Sequence, residues 1–216
     1  MKRPRSCGEG EPSLRTEAVA SAKKLFLQWG YSGASIAMIA EILGVTKAAL
    51  YYHFPDKEAL FLAVFDDYLS CVGAELDEAL PLFERAKEVS GDDARLAFSS
   101  LARIFLSRGA ESVRMNELAF QEAPALSERG RAELGERYHR DLVRPLGACF
   151  RSAEETGWLR PARAGEPPRV WLFMGTLSAF FSPGHDGAEG KAALDLDESS
   201  EAFASFLLEG LVSTRR

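Results

Sequence analysis

The stretch Thr46-Lys47-Ala48-Ala49-Leu50-Tyr51-Tyr52-His53-Phe54-Pro55-Asp56-Lys57-Glu58-Ala59-Leu60-Phe61 decides the fold of this chain. Thr46 can cap a short helix that reaches Tyr52 or His53. Pro55 stops it, and Asp56, a natural N-cap, starts another. Two tyrosines, a histidine and a phenylalanine on one turn make a poor buried helix. They make a good surface for gripping phosphates and reaching base edges. Phe54 alone of this group is assigned to the core.

Just upstream, Ser35 caps a second short helix whose apolar residues are Ile36, Ile39, Ala40 and Leu43. Leu43-Gly44-Val45 is a tight turn between the two, which makes a helix-turn-helix. Gly44 suits the turn because a left-handed backbone costs glycine little. Ile36, Ile39, Ala40, Val45 and Leu50 then lock the pair together, and Thr46, Lys47, Ala48, Tyr51 and Tyr52 point outward. A recognition helix offers its N-terminal residues to the major groove. There Lys47 can reach guanine O6 and N7, and the Ala48 methyl can meet a thymine methyl. Tyr51, Tyr52 and His53 suit phosphates, and Lys57 with the amides after Asp56 can hold another.

The rest of the chain reads as helix throughout. A helix begins at Ser13, carries Ala18, Ala22, Leu25, Phe26 and Trp29 on one face and ends at Gly30. Residues 1–12 form a flexible arm with Lys2, Arg3 and Arg5, which can follow a DNA groove or remain solvated. After Asp56 comes a long amphipathic helix bearing Leu60, Phe61, Val64, Phe65, Tyr68, Leu69, Val72 and Leu76. Leu96, Leu101, Ile104 and Phe105 mark another, and Val113, Leu118 and Phe120 the next, closed by Pro124. Residues 126–156 read as one long helix kinked at Pro145. Pro167-Pro168 opens an apolar helix over 170–181, residues 182–198 form a loop, and a last helix covers about 199–212.

A chain of 216 residues with 46% hydrophobic and 27% charged residues reads as an ordinary globular protein. No run approaches the roughly 18 apolar residues of a membrane span, and the polar start has no signal-peptide character, so a cytoplasmic location is expected. The net charge of −6 is unevenly spread: residues 1–65 hold eight Lys/Arg against six Asp/Glu, and residues 66–216 hold 18 against 26. A mildly basic head on an acidic body fits a protein whose first quarter meets an anion. Cys7, Cys71 and Cys149 form no CxxC pair and indicate neither a disulfide framework nor a zinc site; Cys71 and Cys149 are expected as buried thiols. Glu136-x-x-His139 has the spacing of a di-iron ligand pair but lacks a second copy, so it is assigned to a solvated helix face.

The run from Ile39-Ala40 through Gly44-Val45-Thr46-Lys47 to Leu50-Tyr51-Tyr52-His53-Phe54 and Lys57 resembles the DNA-binding signature of the tetracycline-repressor (TetR) family. The resemblance is strong over residues 14–62. Beyond them it rests on helical layout and length, with residues 115–160 loosely similar to regulators of multidrug efflux. It implies an all-α dimer in which three N-terminal helices bind DNA and a C-terminal helical bundle holds an effector. Residues matching Lys47, Ala48 and Tyr51 would approach bases; those matching Ser35, Thr46, Tyr52, His53 and Lys57 would hold phosphates. Alanine at position 48 departs from the frequent glycine or proline, which bears on base preference.

The expected organisation is a basic arm over 1–12, a helix-turn-helix domain over 13–60, and a ligand-binding and dimerisation domain over 61–216. Met115, Phe120, Trp171, Met174 and Phe180 are candidates to line an effector cavity, although methionines and aromatics at helical spacing are also ordinary core. The expected partners are a double-stranded operator, a small and mainly apolar effector, and a second copy of the chain through the last two helices; no membrane, cofactor or metal is expected. An enzyme would need a convergent catalytic set, and none can be assembled. A sensor with an idle DNA head would have lost Lys47, Tyr52 or Lys57, all of which are present. An activator would use the same contacts as a repressor.

Overall fold

The computed structural model describes residues 13–84, 91–180 and 196–211, and among them the regular structure is helical. The expected basic arm and residues 182–195 of the expected loop lie outside the described residues. The helices are α1 (Leu14–Gly33), α2 (Ile36–Leu43), α3 (Lys47–His53), α4 (Lys57–Glu84), α5 (Gly91–Leu106), α6 (Ala110–Glu122), α7 (Glu128–Tyr138), α8 (Arg144–Glu155), α9 (Arg169–Phe180) and α10 (Leu196–Leu211). They fall into two compact units: residues 1–71 with 114–139, and residues 72–113 with 140–216.

In the first unit the caps are those the sequence offers. Ser13 Oγ accepts from the Thr16 amide, Ser35 Oγ from Met38 and Thr46 Oγ1 from Ala49, so each helix start satisfies one of its orphan amides. Gly30, at φ 70°, interrupts α1 and throws Tyr31 back over the core. There Phe26, Tyr31, Phe61 and Phe65 stack, with neighbouring centroids 4.9–5.1 Å apart from Phe26 to Phe61, Tyr31 to Phe61 and Phe61 to Phe65. Ile39, Leu50 and Phe54 are buried in the same unit. Trp29 does not join them: it is 56% exposed, because it lies on the last turn before the Gly30 break, where the buried stripe of α1 ends.

Gly44 closes α2 in the left-handed region at φ 65°, and a Cβ there would meet nothing within 4 Å. Backbone conformation alone therefore requires glycine. Gly44→Ala is expected to destabilise the protein by about 1–2 kcal/mol without changing the fold, as read from the urea midpoint.

The second unit is built around phenylalanines. Phe173 of α9 meets Phe105 of α5, Phe150 of α8 and Phe203 of α10 at 5.3, 5.7 and 5.6 Å, and Phe98 lies edge-on to Phe83 at 5.1 Å. Half-buried Arg108 pairs with Glu75 at 2.7 Å, and Arg160 with Glu166 at 2.6 Å. The expected helix over 126–156 is divided: α7 and α8 are joined by a π-turn over His139–Val143. Pro145 supplies no amide to the carbonyl four residues back, and the wider turn absorbs that missing bond. Cys149 is a buried free thiol, and burial pushes its pKa up to about 12. Cys71 corrects the expectation of a buried thiol, being half-buried and disulfide-bonded. Glu136 and His139 are both exposed. No helix among the described residues is long and apolar enough to cross a membrane.

Candidate nucleic-acid interface

The outward face of α3 is created by what its other face buries. Leu50 is fully buried and Phe54 nearly so, which anchors one side of the helix and leaves Lys47, Ala48, Tyr51 and Tyr52 exposed on the other. Tyr52 is 86% exposed and Tyr51 49%, large values for aromatic rings in a folded domain. His53 is half-buried and packs edge-on to Tyr52 at 5.1 Å, so the imidazole steadies the ring that stands furthest out. Ser35 and Thr46 spend an oxygen lone pair on their helix caps and keep their O–H protons for an outside acceptor.

A groove of about 460 Å³ runs beside α3 and brings together Ser35, Lys47, Tyr51 and Lys57. Thr46, Ala48, Tyr52 and His53 stand outside that groove, the first three on the exposed surface of α3 and its cap. Lys57 sits differently from a free surface lysine. Its Nζ donates to the Tyr31 carbonyl at 2.8 Å and the Ala34 carbonyl at 3.2 Å, and it lies 4.2 Å from the Tyr31 ring centroid. An ammonium has three donors, so one remains for a groove ligand. Asp56 Oδ1 accepts from the Ala59 amide at 2.6 Å and caps α4 as its sequence position suggests.

Two residues that sequence reasoning passed over shape this surface. Tyr31 is the seat of Lys57; burial first, then the Glu58 and Asp56 carboxylates, hold its phenol above the ordinary value, so it stays neutral. Arg15 places its guanidinium 5.5 Å from the Phe54 ring. Neither contact has a local signature, since the partners are 26 and 39 residues apart.

The five effector candidates are divided between the two units. Met115 is fully buried on α6, while Phe120 on the same helix is exposed and edge-on to Tyr138 at 5.5 Å. On α9 Met174 is buried and Trp171 exposed, and the Phe180 side chain lies outside the described residues. None of the five lines the groove beside α3 or the second cleft, of about 450 Å³, near Arg15 and Arg137.

Comparison with known proteins follows the same division. The family described as "Bacterial regulatory proteins, tetR family" matches residues 18–64, which contain α2, α3 and most of α1. The HTH-type transcriptional repressor ComR of Escherichia coli strain K12 is 35% identical over 101 residues, 46% of this chain and 47% of ComR. The HTH-type transcriptional regulator RutR of the same strain is 38% identical over 80 residues, 32% of this chain and 38% of RutR. The chain thus spans about half or less of the length of these curated relatives. Among solved structures, the TetR family transcriptional regulator PfmR from Thermus thermophilus is 27% identical, with 91% of this chain and 99% of PfmR covered at a TM-score of 0.56. The ketosteroid transcriptional regulator KstR2 of Mycobacterium tuberculosis shares the fold at a TM-score of 0.64, with 15% identity over 96% of this chain and all of KstR2. The family is one of transcriptional regulators and not of enzymes. With an all-helical fold and a helix-turn-helix at the centre of the match, residues 18–64 carry the DNA-binding domain of the tetR family of bacterial regulatory proteins.

Proposed function

We infer that this chain is a ligand-responsive transcriptional regulator, a homodimeric repressor that leaves a pseudo-palindromic operator when a small, apolar effector binds. The observation that carries the reading is the exposed face of α3: Lys47, Ala48, Tyr51 and Tyr52 held out by buried Leu50 and Phe54. Lys47, Ala48 and Tyr51 face bases, and Ser35, Thr46, Tyr52, His53 and Lys57 hold phosphates. Residues 13–60 read DNA, while residues 61–216 bind the effector and pair the subunits. The repressor sense is supported by ComR, whose name carries it.

Pairing runs through α9 and α10. Trp171 and Leu172 are 41% and 40% exposed on α9, and a dimer would cover both. Two recognition helices would then enter successive major grooves about 34–36 Å apart. Met115, Phe120, Trp171, Met174 and Phe180 are the effector candidates. An effector that favours one tilt of α4 changes the spacing of the half-sites, since α4 begins at Lys57. The site of action is the cytoplasm, where the operator lies.

Titration of the purified protein on DNA from upstream of its own gene tests the reading. Selective binding is expected at low salt, falling steeply as salt rises because phosphate contacts release counterions. Equal affinity for every fragment would contradict it.

A further inference from the structure

Four interactions tie α7 to the start of α4, although some 70 residues separate them. Glu58, in the first turn of α4, accepts from the Ser127 amide at 2.7 Å through one carboxylate oxygen and from the Ser127 hydroxyl at 2.6 Å through the other. Ser127 is itself the N-cap of α7, with its Oγ accepting from the Gly130 amide at 3.0 Å. At the far end of α7, Arg137 donates to the Leu62 carbonyl at 3.1 Å and pairs with Asp66 at 2.8 Å. Glu58, Leu62 and Asp66 are spaced by four, so they form one stripe along α4. Helix α7 lies along that stripe and holds it at both ends.

Gly130 shows how close the fit is. A Cβ at that position would lie 2.5 Å from the Glu58 carboxyl carbon and from one of its oxygens. Any larger residue must push the carboxylate away from Ser127. The hydrogen bonds from Ser127 also hold the Glu58 carboxyl below its ordinary pKa, in keeping with a carboxylate that is used rather than solvated.

The neighbouring residue gives this fit a consequence. Lys57 holds the Tyr31 and Ala34 carbonyls at the corner between α1 and α2, so the first turn of α4 is gripped by that corner through Lys57 and by α7 through Glu58. The helix-turn-helix hangs from that turn. Helix α7 belongs to the same compact unit as α1–α3.

We propose that α7 splints the DNA-binding head, with Ser127, Gly130 and Glu58 as positioning residues that set the pose of α3 for operator binding without touching DNA. The proposal rests on the regulator reading above. It assigns a DNA-binding consequence to residues far outside the helix-turn-helix.

A double-mutant cycle tests it on the full-length protein. Gly130→Ala and Glu58→Ala should each weaken operator binding on the order of tenfold, with far-UV circular dichroism showing a folded protein. Gly130→Ala acts only by displacing Glu58, so the double variant should bind no more weakly than Glu58→Ala alone. Wild-type affinity in Gly130→Ala, or losses that multiply in the double variant, would overturn the proposal. Hydrogen exchange supplies a readout independent of DNA: amides of residues 47–54 should exchange faster in Gly130→Ala than in wild type. Unchanged exchange there overturns the splint. Absence of selective DNA binding by wild type would defeat the regulator reading instead, and exchange would still judge the splint.

Discussion

Lys47→Ala and Tyr52→Ala should each remove most of the operator affinity while leaving the unfolding curve in place. Both side chains are exposed and neither supports the core, so the loss is expected to fall on the proposed DNA contacts and not on folding. A base or phosphate contact of this kind is worth about 1–3 kcal/mol per half-site, and the proposed symmetric dimer would lose it twice. The two variants should differ in character. Lys47→Ala should relax discrimination at one base pair in each half-site, whereas Tyr52→Ala should weaken all sequences by a similar factor. Fluorescence anisotropy on the operator and on a set of single-base changes measures both effects. Wild-type affinity in both variants would move the interface away from α3.

Phe173→Ala should be the most destabilising single change in the second unit. Its ring is 1% exposed and meets three other rings, one each on α5, α8 and α10. Emptying such a site costs about 3–5 kcal/mol through lost burial and the cavity left behind. Against a total stability of roughly 5–15 kcal/mol, that is a large share. Urea denaturation should show a lower midpoint with little change in slope. Since α9 also carries Trp171 and Leu172, the proposed dimer should dissociate more readily in sedimentation velocity runs on this variant. A midpoint shift equivalent to less than about 1 kcal/mol would mean that the cluster packs the unit less tightly than its geometry indicates.

The helix-turn-helix was legible in sequence because its determinants are local. Ser35, Gly44, Thr46 and Asp56 act on amides and carbonyls within four or five residues, and the burial of Ile39, Leu50 and Phe54 follows from helical spacing. The contacts that pose the head were illegible for the opposite reason. Lys57 looks like any lysine at a helix start until Tyr31 and Ala34 are brought beneath it, and Glu58 gives no hint of Ser127, 69 positions away. Periodicity also carried some residues too far inward. Leu96 and Phe120 mark their helices as apolar but lie on exposed faces, since a stripe wider than the available partner leaves its margin in solvent. Pro145 signalled an irregularity correctly, and whether it takes the form of a kink or of a π-turn depends on the packing around it.

A hydroxyl-radical footprint on a fragment selected by the protein decides whether α3 reads DNA. Two protected patches related by a dyad, one helical turn or about 34–36 Å apart, are expected, both lost in Lys47→Ala. Uniform protection along the fragment, or a selected footprint that survives in Lys47→Ala, would contradict it.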